Sequence, residues 1–283
     1  MIRLLAPTLL FNFAATVTAQ ILSSECINAI NQVGANPDVD SCLTPGPLLP
    51  LASGNESTLV IEPINDWLGS MCSAAPCTNE TLAAIVRNVT IGCETDLRKV
   101  SHEYDPNRTP SIISLLLQDA YPTIRKVLCL QNGDTKCLTE GFNTLQSGGI
   151  IGSDGGLSLK DMPAVINDFI LDPERGAFGS HGLLKNISCS DCAKAAINTV
   201  EDDFPGLIFK ENGSFNKTYI ANACGASFVD GQDPEGITQT ASDAPAGSAE
   251  GASSGTEGNS AVTLSGGFAG PALTAGLLVA VVL

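Results

Sequence analysis

Pro63-Ile64-Asn65-Asp66-Trp67-Leu68-Gly69-Ser70-Met71-Cys72 places Ile64, Trp67, Leu68 and Met71 at i, i+3, i+4 and i+7. That spacing is the apolar stripe of an amphipathic helix. The following stretch repeats it, with Thr78 as the cap of a helix in which Leu82, Ile85, Val86 and Val89 share one face. Two such helices in succession predict an all-α domain.

The pattern extends in both directions. Upstream, Ser24 caps a short helix carrying Ile27, Ile30 and Val33, with Gly34 just past its end, and a Pro-rich connection runs from Pro45 to Pro50. Downstream, Thr109-Pro110 has the form of a cap followed by proline at the first helical position. The helix it opens carries Ile113, Leu116, Leu117 and Ala120, and Pro122 kinks or restarts it before Ile124, Val127 and Leu128. Asn132-Gly133 supplies a turn, and Leu138, Phe142 and Leu145 form a further stripe. Ser158 with Asp161 resembles a capping box ahead of Met162, Val165, Ile166, Phe169 and Ile170. Ser190 caps a helix with Ala193, Ala196, Ile197 and Val200 inward, and a last short helix covers Tyr219 to Ala223. Thr58 to Ile61 is the one short β-branched strand candidate.

The two ends of the 283-residue chain have a different character. Residues 1–19 read as a signal peptide: Arg3, a short apolar core and Val17-Thr18-Ala19 as a small-residue cleavage site. Residues 231–258 are Gly, Ala, Ser, Thr, Asp and Glu with almost no large apolar side chain, and read as a disordered stalk. Residues 259–283 pair small residues and a short spacer with the uncharged run Phe268 to Leu283, the pattern exchanged for a glycosylphosphatidylinositol (GPI) anchor. Asn259 is the expected attachment residue and Ser254 the alternative. The apolar run is short for a membrane span, and Gly270-Pro271 breaks it. Residues 20–230 are left as a single cysteine-rich helical ectodomain.

Ten cysteines lie in that ectodomain: Cys26, Cys42, Cys72, Cys77, Cys93, Cys129, Cys137, Cys189, Cys192 and Cys224. An even count in an exported chain reads as five disulfides. A helix over residues 78–91 separates its ends by about 20 Å, which forbids Cys77–Cys93 even though Cys26 to Cys42 and Cys77 to Cys93 enclose equal fifteen-residue gaps. Loop length favours Cys26–Cys42, Cys129–Cys137, Cys72–Cys77 and Cys189–Cys192, with Cys93–Cys224 as a long-range clasp. In the last three, Cys72, Cys77 and Cys93 can exchange partners with Cys189, Cys192 and Cys224.

Seven Asn-x-Ser/Thr sequons, at Asn55, Asn79, Asn88, Asn107, Asn186, Asn212 and Asn216, mark expected N-glycosylation and therefore outward-facing positions. The formal net charge of −16 argues against nucleic acid and anionic lipid surfaces as partners. No catalytic, cofactor-binding or metal site emerges. Cys189-Ser-Asp-Cys192 resembles a redox dithiol but lacks a βαβ frame, so a structural role is favoured. His102 and His181 sit in polar stretches without a nucleophile elbow. Gly148-Gly149 and Gly155-Gly156 lack the Lys-Ser/Thr of a phosphate loop. Glu201, Asp202 and Asp203 read as a solvated helix end rather than a cation site. Trp67 falls on a core stripe, so the only tryptophan is not offered to a sugar.

Cys189-Ser-Asp-Cys192-Ala-Lys-Ala-Ala-Ile-Asn198, Asp203-Phe204-Pro205, Cys224-Gly-Ala-Ser-Phe-Val-Asp-Gly231 and Pro234-Glu-Gly-Ile-Thr-Gln239 together resemble a family of basidiomycete-type fungal secreted proteins. Leu128-Cys-Leu-Gln-Asn-Gly-Asp-Thr-Lys-Cys-Leu138 is similar to its middle motif, so the resemblance spans roughly Cys72 to Gln239. It implies an export signal, a cysteine-rich helical domain and a Ser/Gly-rich tail, often GPI-anchored, and supplies no catalytic residue. The expected protein is a GPI-anchored, N-glycosylated protein of the cell surface or cell wall. Its expected role is structural, in contact or adhesion, with membrane and cell-wall components as partners. A module enclosing a small apolar ligand such as a lipid or sterol is the alternative, and an exported enzyme the third.

Overall fold

The computed structural model describes residues 22–49, 61–100, 104–147, 188–209 and 217–243. Among the described residues there are nine α-helices and a three-stranded sheet, and helices take 70% of them, so the domain is mostly helical as its periodicity requires. The helices are α1 (Ser24–Gly34), α2 (Pro37–Leu43), α3 (Ile61–Ser73), α4 (Asn79–Gly92), α5 (Glu94–Val100), α6 (Thr109–Leu128), α7 (Cys137–Ser147), α8 (Asp191–Asp203) and α9 (Lys217–Cys224). The strands are β1 (Leu130–Asn132), β2 (Thr135–Lys136) and β3 (Ile237–Gln239). Several expectations lie outside the described residues: the signal peptide, the expected helix over residues 158–170, His102, His181, the Gly148-Gly149 and Gly155-Gly156 pairs, Asn55, Asn186, Asn212, Asn216, Ser254, Asn259 and the run to Leu283.

The stripe of α3 is the middle of the core. Ile64, Trp67, Leu68 and Met71 are buried with Cys72 and Cys129, and Leu128, Leu138 and Phe142 pack against them. Trp67 spends its one donor internally, Nε1 to the Leu43 carbonyl at 2.8 Å. A second cluster joins Leu82 and Val86 of α4 to Leu117 and Tyr121 of α6 and to Cys42 and Cys77. Each such side chain contributes about 1.5–3 kcal/mol by leaving water. The Tyr121 hydroxyl accepts the Cys77 N–H at 3.0 Å, so the second cluster carries no orphan donor at that point.

Local signals set the helix ends. Thr78 and Ser190 cap α4 and α8 as their sequence positions predict, accepting from Thr81 and Ala193 N–H. At α1 the cap is Ser23, one residue earlier than the sequence suggests, because Asp96 accepts both its N–H (3.0 Å) and its hydroxyl (2.6 Å). Pro122 does not break α6, which runs unbroken for 20 residues. The proline sits on an exposed face, where water can bond the carbonyl it leaves unpaired.

The sheet has the order β2-β1-β3, both pairs antiparallel. The Asn132-Gly133 turn joins β1 to β2, with Gly133 at φ +56°, a conformation glycine adopts without strain. Ile61, the end of the expected strand, instead opens α3. The ordered domain also passes residue 230, where the composition placed the start of the stalk. β3 pairs with β1 through Leu130↔Gln239 and Asn132↔Ile237, and the Ser242 N–H donates to the Cys72 carbonyl at 2.8 Å. Arg125, 4% exposed, donates to the carbonyls of Met71 (2.8 Å), Cys72 (3.3 Å), Ala74 and Ser242 (3.4 Å). A cation thus closes the C-terminal end of α3, where carbonyls lack helical partners, and ties residue 242 to it. Composition missed β3 because its hold is backbone hydrogen bonding, not apolar burial.

All five bridges differ from the loop-length pairing. They join Cys26–Cys93, Cys42–Cys77, Cys72–Cys129, Cys137–Cys192 and Cys189–Cys224. Cys77 and Cys93 are kept apart by α4, as its length demands. The same reasoning applies to Cys26 and Cys42: α1 and α2 both occupy that gap and extend it, so no loop returns. The equal gaps have a different meaning. The α1–α2 segment lies against α4 and is stapled to it at both ends, first residue to last. Gly92 permits the approach, since a Cβ there would stand 2.1 Å from the Ala29 Cβ.

Candidate functional site

Most of the polar groups singled out in the sequence are used up by the fold. Cys189 and Cys192 belong to two different bridges, to Cys224 and Cys137, so the CxxC stretch has no dithiol to exchange. The Glu201 carboxylate accepts three N–H groups, from Gly206 (2.9 Å), Ile208 (2.7 Å) and Phe209 (2.9 Å). Burial pushes its pKa up, but those hydrogen bonds and Lys217 outweigh it and hold the carboxyl below the usual range. Asp203 likewise lies low: the Thr123 hydroxyl (2.6 Å) and the Lys126 ammonium (2.9 Å) overcome the cost of its burial. Asp202 is exposed at the helix end as expected, and its neighbours Glu201 and Asp203 are paired rather than free. The two stabilise the fold.

The three sequon asparagines within the described residues, Asn79, Asn88 and Asn107, are all exposed. Asn88 is exposed although Thr90, two residues on, is 4% exposed with its hydroxyl on the Val86 carbonyl at 2.7 Å. Apolar surface exists as well: Ile112, Leu115 and Leu116 form a strip on α6. It is an open helix face, not an enclosed pocket of the kind that a buried lipid needs.

A groove of about 500 Å³ lies between α3, α7 and the β1–β2 turn. From α7 it receives Thr139, Asn143 and Gln146, spaced i, i+4 and i+7, a polar face that flanks the Leu138 and Phe142 side of the same helix. From α3 come Ile61, Glu62 and Asn65, and from the turn Asp134 and Thr135. Thr139 is 6% exposed and donates to Asn65 Oδ1 at 3.1 Å, which fixes the amide and leaves Nδ2 to the groove. Glu62, Asp134, Asn143 and Gln146 have no side-chain partner among the described residues. By contrast Glu140, on the adjoining face of α7, accepts from Asn132 Nδ2 at 3.0 Å. The sequence shows this face only as the complement of the Leu138–Phe142–Leu145 stripe. Glu62 and Asn65 look like ordinary solvent positions there, and nothing in the sequence says that two polar faces meet.

Fold and surface together define the class: a helical domain locked by five disulfides, of the kind made for an oxidising, extracellular environment. No helix among the described residues is long and apolar enough to cross a membrane, and no three His, Cys, Asp or Glu side chains among them gather to hold a metal ion. No family model, curated protein or solved structure matches the chain.

Proposed function

We propose that the protein is an exported, N-glycosylated domain tethered to the outer cell surface by a GPI anchor, acting there in contact or adhesion, as a fungal secreted protein of the resembled family would. The observation that carries this reading is the pairing of all ten cysteines in a domain whose described sequons, Asn79, Asn88 and Asn107, all face solvent. The signal-peptide pattern of residues 1–19 and the anchor pattern of residues 259–283 support it from outside the domain. The polar groove supports a contact role, because its carboxylates and amides suit a hydrophilic partner rather than an apolar ligand at that place. Phosphatidylinositol-specific phospholipase C should release the protein from intact cells. Retention together with an intact C-terminal peptide by mass spectrometry would overturn the anchor.

A further inference from the structure

We propose that the groove between α3 and α7 binds a saccharide chain through side-chain hydrogen bonds. The inference rests on the surface-contact reading and names the ligand class of that contact.

The chemistry of the lining selects the ligand. Glu62 and Asp134 only accept hydrogen bonds, whereas the amides of Asn143 and Gln146 both donate and accept, and Asn65 Nδ2 donates. A sugar hydroxyl donates and accepts at one oxygen, so adjacent hydroxyls can bridge a carboxylate and an amide. A simple cation would use the acceptors and leave the N–H groups idle. A phosphate would meet Glu62 and Asp134 on a chain of net charge −16. An extended peptide would find only the two-residue edge strand β2 and no side-chain pockets, since Ile61 is the one aliphatic residue of the lining among the described residues. The groove is open, with Glu62, Asn65, Asp134, Thr135 and Asn143 all exposed, which suits a segment of a longer chain lying across it.

The site is partly built in advance. Thr139 is buried and its hydroxyl orients the Asn65 amide, so that donor is presented without first being freed from another partner. No aromatic ring among the described residues lines the groove, so they offer no stacking contribution and a single site is weak. Many tethered copies facing a polymer or a second surface would add by avidity, which the surface reading supplies.

The test uses the purified full-length protein, with a linear β-glucan tetrasaccharide standing for a wall polymer and a high-mannose glycan standing for glycoprotein chains. Saturation-transfer NMR should show contact with at least one, and the responding arm identifies the source. Asn65→Ala with Asn143→Ala, both exposed positions, should lower affinity about 25-fold, each losing one hydrogen bond at about fivefold. Gln146→Ala provides an independent check with a smaller loss, about fivefold. Spermidine or an extended peptide binding at the same residues while both glycans fail would overturn the proposal. So would glycan binding that is unchanged in the double variant, or no glycan binding. Phospholipase release of the same variants is read in parallel. If release persists while glycan binding fails, the saccharide site falls and the tethered-surface reading stands.

Discussion

The part of the domain from α1 to α6 and the part formed by α8, α9 and β3 are held by different physics. In the first, apolar side chains from facing helices fill two clusters, and bridges staple what is already packed. In the second, Cys192, Ala195, Ile220 and Phe228 are the buried apolar residues beyond position 188 among those described. Polar contacts hold it instead. Asp203 meets Thr123 and Lys126, Lys194 meets Asp230 at 2.8 Å, and Asn198 donates to the Gln232 carbonyl at 3.1 Å and to Asp233 at 3.0 Å. Two bridges, Cys137–Cys192 and Cys189–Cys224, do what a core does elsewhere. A domain can therefore be cooperative in one part and latched in another.

The sharpest way to break this contrast is to remove a latch. Replacing Cys137 and Cys192 by serine should cost about 2–5 kcal/mol. Hydrogen exchange should show α8 losing protection while α4 and α6 keep theirs; simultaneous loss in all three would mean one cooperative unit. Arg125→Met comes next. It strips a charged donor from buried carbonyls at the end of α3 and should cost about 2–3 kcal/mol by chemical denaturation, with faster exchange at Ser242. Within the packed part, Gly92→Ala should cost about 1–3 kcal/mol through its clash with Ala29, and Ala29→Gly in the same chain should recover part of the lost Tm. No recovery would mean the α1–α4 contact is looser than described.

The smallest effect is titration. Glu201 and Asp203 both have carboxyls held below the usual range, so their contribution is complete above the unfolded carboxylate range of about pH 4 and is lost as pH falls through the lower folded values. Acid should loosen α8 before α4. Asp96 also lies low, first through the Ser23 hydroxyl, but it holds only the cap of α1. Asp203→Asn should mimic mild acid at neutral pH, costing less than about 1 kcal/mol because Lys126 is half exposed. Equal acid sensitivity of α4 and α8 by exchange at pH 3 would erase the distinction.

The same division governs what was legible in the sequence. Ile64, Trp67, Leu68 and Met71, or Leu82, Ile85 and Val86, announce their helices because apolar burial leaves a period, and all seven are buried. Polar latches leave none. Gln239 and Ser242 look like stalk, yet β3 and the Cys72 carbonyl hold them. Loop length does not reveal the disulfide partners for a related reason: it judges whether a short closure is possible, not which segments lie side by side. The one usable clue was the pair of equal gaps ending at Cys42 and Cys93. Equal lengths fit a double staple between antiparallel segments as well as they fit a repeat. The groove was illegible because Asn65 and Asn143 come together only once α3 and α7 are packed.

The position of β3 decides how the domain answers a pull. Tension entering through residue 243 first meets the Ser242 and Thr240 backbone hydrogen bonds, then the short ladder to β1, all of them breakable one after another. Stripping stops at Cys224, which is covalently bound to Cys189. At most about 19 residues can pay out, roughly 65 Å of slack at full extension. Beyond that length, load passes through covalent bridges into α8 and α7.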